Sequence, residues 1–234
     1  MELSKLYKQK NAEFAWYSIP ASFELAGKCL EITYDDGEKT QLDFAAAPGL
    51  ELSPGNGKTY PYLCAKIGVN RFFVSYIEEI NCISLVIDTG EMLATRVIAD
   101  ATAKTTLSFG AVSSAESGNR HKVTDDFAGN AFIWSLGADA TCVFKAEYGA
   151  NSVAISLPLA GAGVPAVAAS DFIAVKLAEG VYLQNATVTA EGHVFSIALA
   201  SDFNNMLCAG GVFGVNNGDI THMIIGGYGC AAKQ

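Results

Sequence analysis

The sequence has 234 residues, of which 50% are hydrophobic, so the chain can bury one large core or two small ones. A formal charge of -9 and a pI near 4.8, without a cluster of lysine and arginine, argue against a nucleic-acid-binding surface. The charged residues 1–10 are not followed by the apolar stretch of a secretory signal, and no apolar run is long enough to span a membrane. We therefore expect a cytoplasmic protein whose partners include neither nucleic acid nor a membrane.

Short strands with a period of two residues follow one another through the first half of the chain. Leu30, Ile32 and Tyr34 share one face, and Asp35-Asp36-Gly37 supplies a hairpin turn after them. An aromatic segment at 14–20 precedes them as a strand or an arm over a barrel mouth. No helical periodicity of useful length intervenes, and the spacing predicts an antiparallel meander of about eight strands. The predicted strands include 29–34, 39–44, 60–67, 71–78, 82–88, 92–99 and 104–109, with one short strand between Pro48-Gly49 and the turn at 54–57.

The second half repeats this plan after a polar break at 110–126, which we take as the domain boundary. A Pro/Gly/Ala-rich segment at 158–170 has the composition of a flexible loop over a cavity mouth. The strands predicted here are 132–136, 141–146, 152–157, 172–177, 181–188, 194–200, 206–213 and 223–225.

The two halves can be aligned directly. Lys66-Ile67 followed by 72–74 matches Lys176-Leu177 followed by 182–184, and 83–86 matches 195–198. A tandem duplication of one small barrel explains this best. We predict an all-β protein of two tandem antiparallel up-and-down β-barrels, with residues 1–112 as the first domain, 113–124 as a linker and 125–234 as the second domain.

Residues that usually mark chemistry are scattered. The six cysteines mostly lie in apolar runs without metal-ligand spacing, which favours buried free thiols. We interpret His121 and His193 as solvated turn residues and His222 as a strand-end residue. The glycines near the end of the chain lack the signature of a phosphate-binding loop and read as barrel corners. We therefore predict no metal and no cofactor, and assign no catalytic residue.

The order of several short motifs resembles the MoaF family. The first half is similar to its N-terminal domain at 25–27, 33–37, 72–76 and 86–88, and the second half to its C-terminal domain at 124–129, 176–183 and 211–214. The resemblance covers most of the chain and implies two lipocalin-like (calycin-type) barrels. The family is named after molybdenum-cofactor genes, and the resemblance implies a fold rather than an activity.

A more distant similarity is to phenolic acid decarboxylases, which are single lipocalin-like barrels. Tyr34 matches the second tyrosine of their first strand, but Ile32 replaces the first tyrosine and Val69 stands where their catalytic Glu would lie. In the second half Glu179 restores the acid, but Trp134 and Leu136 replace both tyrosines. Neither half keeps the full set, so decarboxylation of a phenolic acid is not implied.

Aromatic residues are the candidate ligand-binding groups, because they offer apolar faces together with a hydroxyl or an indole N–H. Alternatively these rings form the core, since an eight-stranded barrel is just wide enough for side chains to fill it. The candidates are Tyr34, Tyr62, Phe72, Tyr76, Trp134 and Tyr182.

Two functions from different classes follow. The first is binding of a small, apolar or aromatic metabolite in a barrel cavity. The second is a cofactor-free isomerase, cyclase or lyase acting inside one barrel, which would need an ionisable side chain beside Tyr34 or Trp134. A third possibility is that one barrel is filled and only packs against the other. Exposed strand edges are also compatible with a homodimer.

Overall fold

The computed structural model of the protein describes residues 19–46, 50–113, 119–126, 128–135, 143–156, 167–190 and 192–232. The predicted aromatic arm at 14–20 and the predicted loop at 158–170 fall largely outside these ranges. The described residues form strands and turns, and none of their segments is a helix that could cross a membrane.

The first half folds into a closed antiparallel barrel, barrel 1, with its strands in chain order. It closes where β1 pairs with β8, for example Ile32 opposite Val112. As the alternation predicts, Leu30, Ile32 and Tyr34 all point into its core. Its strands are β1 Cys29–Tyr34, β2 Lys39–Phe44, β3 Glu51–Ser53, β4 Tyr60–Gly68, β5 Arg71–Glu78, β6 Asn81–Asp88, β7 Leu93–Ala99 and β8 Thr105–Val112.

The second half forms barrel 2, which closes through the pairs β10–β17 and β12–β13. A two-residue strand from the predicted linker, β9, pairs with β13 on the outside of this ring. The strands are β9 Lys122–Val123, β10 Ala131–Ser135, β11 Val143–Tyr148, β12 Val153–Ser156, β13 Val167–Ala178, β14 Val181–Ala190, β15 His193–Asp202, β16 Leu207–Asn216 and β17 Asp219–Ala231. The prediction of an all-β protein with two tandem antiparallel barrels, consistent with the lipocalin-like type, is confirmed.

The last strand is much longer than predicted, at 13 residues rather than the three at 223–225. Its glycines conceal it in the sequence because they interrupt the hydrophobic pattern. The structure shows why a glycine is required at one of them: a Cβ on Gly229 would lie 2.5 Å from the ring of Trp134 and 2.8 Å from the Ile133 carbonyl oxygen. The glycine therefore lets β17 pass closely beneath Trp134.

Matching turns connect equivalent strands of the two barrels. After β6, the Asp88 carboxylate accepts two backbone N–H groups at 2.9 Å, and after β15 the Asp202 carboxylate accepts two at 2.9 and 3.1 Å. Both turns then hold a methionine in the left-handed region, with φ of 56° at Met92 and 51° at Met206. The turns therefore fix which residues of the two barrels are equivalent.

Strand pairing confirms one predicted match and corrects another. Lys66 lies opposite Phe72 as Lys176 lies opposite Tyr182, as the alignment of the halves predicts. The match of 83–86 with 195–198 is wrong by two residues, because Val86 and Ala200 occupy the equivalent places. A shift of two leaves every side chain on its own face, so the period-two pattern could not reveal it.

The barrels pack side by side through their outer faces. Leu63, Phe73 and Val97 of barrel 1 share one buried cluster with Leu183 and Ala200 of barrel 2. This apolar contact removes the solvent-facing side of several strands in both barrels. Those strands therefore carry hydrophobic residues on both faces.

Two histidines contribute to this junction, and the sequence interpretation of both is wrong. His222 lies inside β17, is 4% exposed, and its Nε2 is 3.0 Å from the hydroxyl of Ser75 in barrel 1. His121 is 5% exposed, with its Nδ1 2.7 Å from the Thr95 hydroxyl. Burial lowers the pKa of each imidazole to about 4, so both are neutral near pH 7. The local sequence looked polar, but packing between the barrels buries both rings.

The cysteines agree with the prediction only in part. Cys64, Cys82 and Cys208 are buried free thiols, whereas Cys29 and Cys230 are free and exposed. Cys29 is the first residue of β1 and Cys230 the second-last residue of β17, and both are exposed to solvent. The side chain of Cys142 lies outside the described residues.

Candidate functional site

The interior of barrel 1 holds four of the predicted ligand-binding residues, Tyr34, Tyr62, Phe72 and Tyr76, each at most 2% exposed. They pack among themselves and against neighbouring rings; Phe44, for instance, meets Tyr62 edge-on at 5.2 Å between ring centroids. These four rings therefore point into the interior of barrel 1, where they are packed as a hydrophobic core.

An arginine that the sequence analysis did not single out lies among these rings. Arg96 points inward from β7, with its guanidinium carbon 3.8 Å from the centroid of the Tyr34 ring. Two of its nitrogens donate to the Glu38 carboxylate at 2.6 and 2.7 Å. The turn between β1 and β2 brings Glu38 to this end of the barrel.

This pair changes the acid–base properties of its neighbours. Burial raises the pKa of Tyr34 to about 12, although the charge of Arg96 opposes the increase. Hydrogen bonds from Arg96 lower the pKa of the Glu38 carboxyl. The Tyr34 hydroxyl and Arg96 Nε are buried and have no hydrogen-bond partner among the described residues. Barrel 1 thus keeps a protonated phenol beside a fixed positive charge.

Barrel 2 differs because its interior contains a cavity of about 190 Å³. Among the described residues its walls come from seven of the eight barrel strands, with most residues from β14, and they are almost entirely apolar. The lining residues are Ala146, Tyr148, Val153, Ile155, Phe172, Gln184, Asn185, Ala186, Ile197, Leu199, Val212 and Ile225.

The equivalences between the barrels explain this cavity. Ala186 occupies the place of Tyr76, since each lies four residues after the equivalent pair Tyr182 and Phe72. Gly210 takes the place of Arg96, three residues into the strand after each Asp turn. Two large inward side chains of barrel 1 are therefore replaced by two of the smallest. Ala186 lines the cavity that a ring would otherwise fill. Gly210 instead allows a close approach of neighbouring strands, because a Cβ there would clash with the Ala198 carbonyl oxygen.

Three polar residues line the cavity, and one of them, Asn185, bonds through its side chain to Thr105 and Ser196. Gln184 is 5% exposed and its side-chain amide donates to the hydroxyl of Ser201 at 3.3 Å. The hydroxyl of Tyr148 lies beside the Trp134 and Gln184 side chains, and burial raises its pKa well above the ordinary value. Gln184 stands where barrel 1 has Val74, so the polar group is specific to the barrel that contains the cavity.

Trp134 and Tyr182, the remaining predicted ligand-binding residues, belong to an aromatic cluster at one end of barrel 2. Its centre is Phe203, which stacks on Phe132 at 4.3 Å and lies 5.8 Å from Trp134 and 5.5 Å from Tyr182. Tyr148 connects this cluster to the cavity, because its ring contacts both Phe132 and a wall residue, Phe172. The sequence analysis missed the wall residues themselves. The one signal in the sequence is Ala186, which aligns with Tyr76 when the two halves are compared.

A polar cleft of about 410 Å³ lies where the linker crosses between the barrels. Two of its cations are paired with carboxylates: Arg71 lies 2.6 Å from Asp88, and Lys176 lies 2.8 Å from Asp126. Arg120 of the linker is likewise 2.6 Å from an aspartate of barrel 1. The pairs of Arg120 and of Asp126 hold the segment between the barrels against barrel 1 and barrel 2, and we interpret the cleft as structural.

The described ranges contain no group of three His, Cys, Asp or Glu side chains placed to hold a metal ion. No protein-family model matches this chain, and no curated protein matches it. The evidence for function is therefore the geometry of the two barrel interiors.

Proposed function

We propose that the protein binds a small, largely apolar or aromatic metabolite inside barrel 2. The observation that carries this proposal is the cavity of about 190 Å³ with apolar walls. An engineered cavity of about 150 Å³ lined by Leu, Ile and Phe in another protein stays dry and binds benzene, so a space of this size and lining suits a single ring. An apolar ligand would gain its affinity from removal of its surface from water.

The packing of barrel 1 supports a division of labour between the two halves. Its interior is occupied by buried rings and by Arg96, and its outer face supports barrel 2. We propose that barrel 1 acts mainly as a packing partner. The motif order and the two-barrel architecture also support our proposal that the chain is of the MoaF type. A cytoplasmic location and a homodimer stay predictions.

Methyl NMR can test the binding site directly, because isoleucines mark both interiors. We expect toluene to shift the methyl signals of the cavity-lining residues Ile155, Ile197 and Ile225. The interior isoleucines of barrel 1, Ile32 and Ile83, serve as the internal control and should stay unchanged. Shifts confined to barrel 1, or no shifts at millimolar toluene, would contradict the proposal.

A second candidate function is a cofactor-independent isomerase, cyclase or lyase in barrel 1, favoured by the ionisable Arg96 beside Tyr34. With a pKa of about 12, Tyr34 stays protonated near pH 7 and can donate a proton or a hydrogen bond. Arg96 could stabilise an oxyanion that develops next to it. If this function is correct, Tyr34→Phe and Arg96→Met each abolish turnover of a metabolite panel followed by NMR. Turnover that survives both substitutions would remove barrel 1 as the reaction site.

A further inference from the structure

We infer that the ligand of barrel 2 is a neutral, one-ring aromatic molecule whose single hydroxyl or carbonyl group bonds to Gln184 and Tyr148. This inference rests on the proposed function and adds the charge, the size and the orientation of the ligand.

The charge follows from the lining. Among the described residues that form the wall, none carries a charged side chain. At the position where barrel 1 has Arg96, barrel 2 has Gly210, so the counter-ion that an anionic ligand would need is missing there. Burial of an unpaired ion in an apolar cavity is strongly unfavourable. A carboxylate is therefore excluded in favour of a neutral molecule.

The orientation follows from Gln184. Its bond to the Ser201 hydroxyl, at 3.3 Å, uses one hydrogen-bonding position of the side-chain amide. A hydrogen bond with the Tyr148 hydroxyl uses a second position. A primary amide offers two donors and two acceptor positions, so two positions remain for a ligand. The Tyr148 hydroxyl borders the same part of the cavity. A hydroxyl or carbonyl group on the ligand can bond to a remaining position of this polar pair, while its ring contacts the apolar walls.

The aromatic character follows from the shape and the neighbours of the space. Phe172 and Tyr148 present rings to the cavity, with their centroids 6.0 Å apart. Ring edges and faces at such spacings pack well against another ring. A volume of about 190 Å³ holds one ring with a small substituent and leaves no room for a fused ring system with long side chains.

Isothermal titration calorimetry with three probes of similar size tests the inference: 4-methylphenol, toluene and benzoate at pH 7. We expect 4-methylphenol to bind about tenfold tighter than toluene, because its hydroxyl forms a hydrogen bond that is shielded from water. Benzoate should bind more weakly than toluene. In Gln184→Leu, the preference for 4-methylphenol over toluene should fall to within about twofold, while toluene binding is retained. The same replacement at an exposed position of barrel 1, Gln41→Leu, is the matched control and should change neither affinity.

The possible failures are distinguishable. If toluene and 4-methylphenol bind the wild type equally well, the proposed function stands and the assigned polar site is wrong. If benzoate binds best, the neutral-ligand inference is overturned. A preference for 4-methylphenol that survives both Gln184→Leu and Tyr148→Phe would also overturn it. If none of the three probes binds, the proposed function fails as well.

Discussion

Filling the cavity of barrel 2 should stabilise the protein and abolish its binding capacity. The substitution Ala186→Phe restores an aromatic ring at the position where barrel 1 has Tyr76. In a well-studied series of core mutants of another protein, a cavity costs about 24 cal/mol for each Å³, so about 190 Å³ corresponds to roughly 4.6 kcal/mol. A phenylalanine ring fills only part of this space and loses rotamer freedom. We therefore expect a net gain of about 1–2 kcal/mol in the free energy of unfolding.

Urea unfolding and thermal melting measure this gain, and 1–2 kcal/mol corresponds to an increase of about 2–8 °C in Tm for a chain of this size. Calorimetry with toluene should show loss of binding in the same variant. Ala128→Phe places the same ring on an exposed turn of the second half and is the matched control, with unchanged toluene affinity and nearly unchanged stability.

The reasoning would be refuted if Ala186→Phe lowered the free energy of unfolding by 1–3 kcal/mol, the cost of overpacking, because the space would then already be filled. Retained toluene affinity in a folded Ala186→Phe variant would place the binding site elsewhere. A stabilised variant that no longer binds toluene would show that the cavity lowers the stability of the wild-type protein and is required for binding.

Three further predictions concern the histidines, β17 and barrel 1. His121 and His222 have folded-state pKa values of about 4, below the unfolded value of 6.5, so stability is complete above pH 6.5 and falls as the pH drops. Each histidine should lower the free energy of unfolding by about 2 kcal/mol between pH 7 and pH 5. Urea unfolding of His222→Gln at several pH values should show a smaller loss of stability over this range, and an unchanged loss would contradict the prediction. Gly229→Ala should destabilise by about 1–3 kcal/mol with a shift in Trp134 fluorescence, whereas Cys230→Ala should be neutral. Tyr76→Ala should cost about 3–5 kcal/mol by opening a cavity in barrel 1; a loss below 1 kcal/mol would mean that its interior is not tightly packed.

The sequence by itself determined the fold class and the number of barrels. Alternation of apolar side chains and the chemistry of turns are local properties, so strands such as β1 and β5 could be predicted with their bounds and their inward faces. The similarity of 66–74 to 176–184 likewise indicated two copies of one unit. These signals need only neighbouring residues.

Which interior is open depended on the tertiary structure. A cavity is the difference between the volume inside a barrel and the side chains that all eight strands send into it, so no single strand reveals it. The sequence match of 83–86 with 195–198 was wrong by two residues, because a shift of two preserves the face of every residue. The sequence led us to interpret His121 as a solvated turn residue and His222 as a strand-end residue, because the residues that bury each ring are distant in the sequence. The local alternation of side chains therefore determined the strands, whereas packing between residues distant in the sequence determined where the cavity lies.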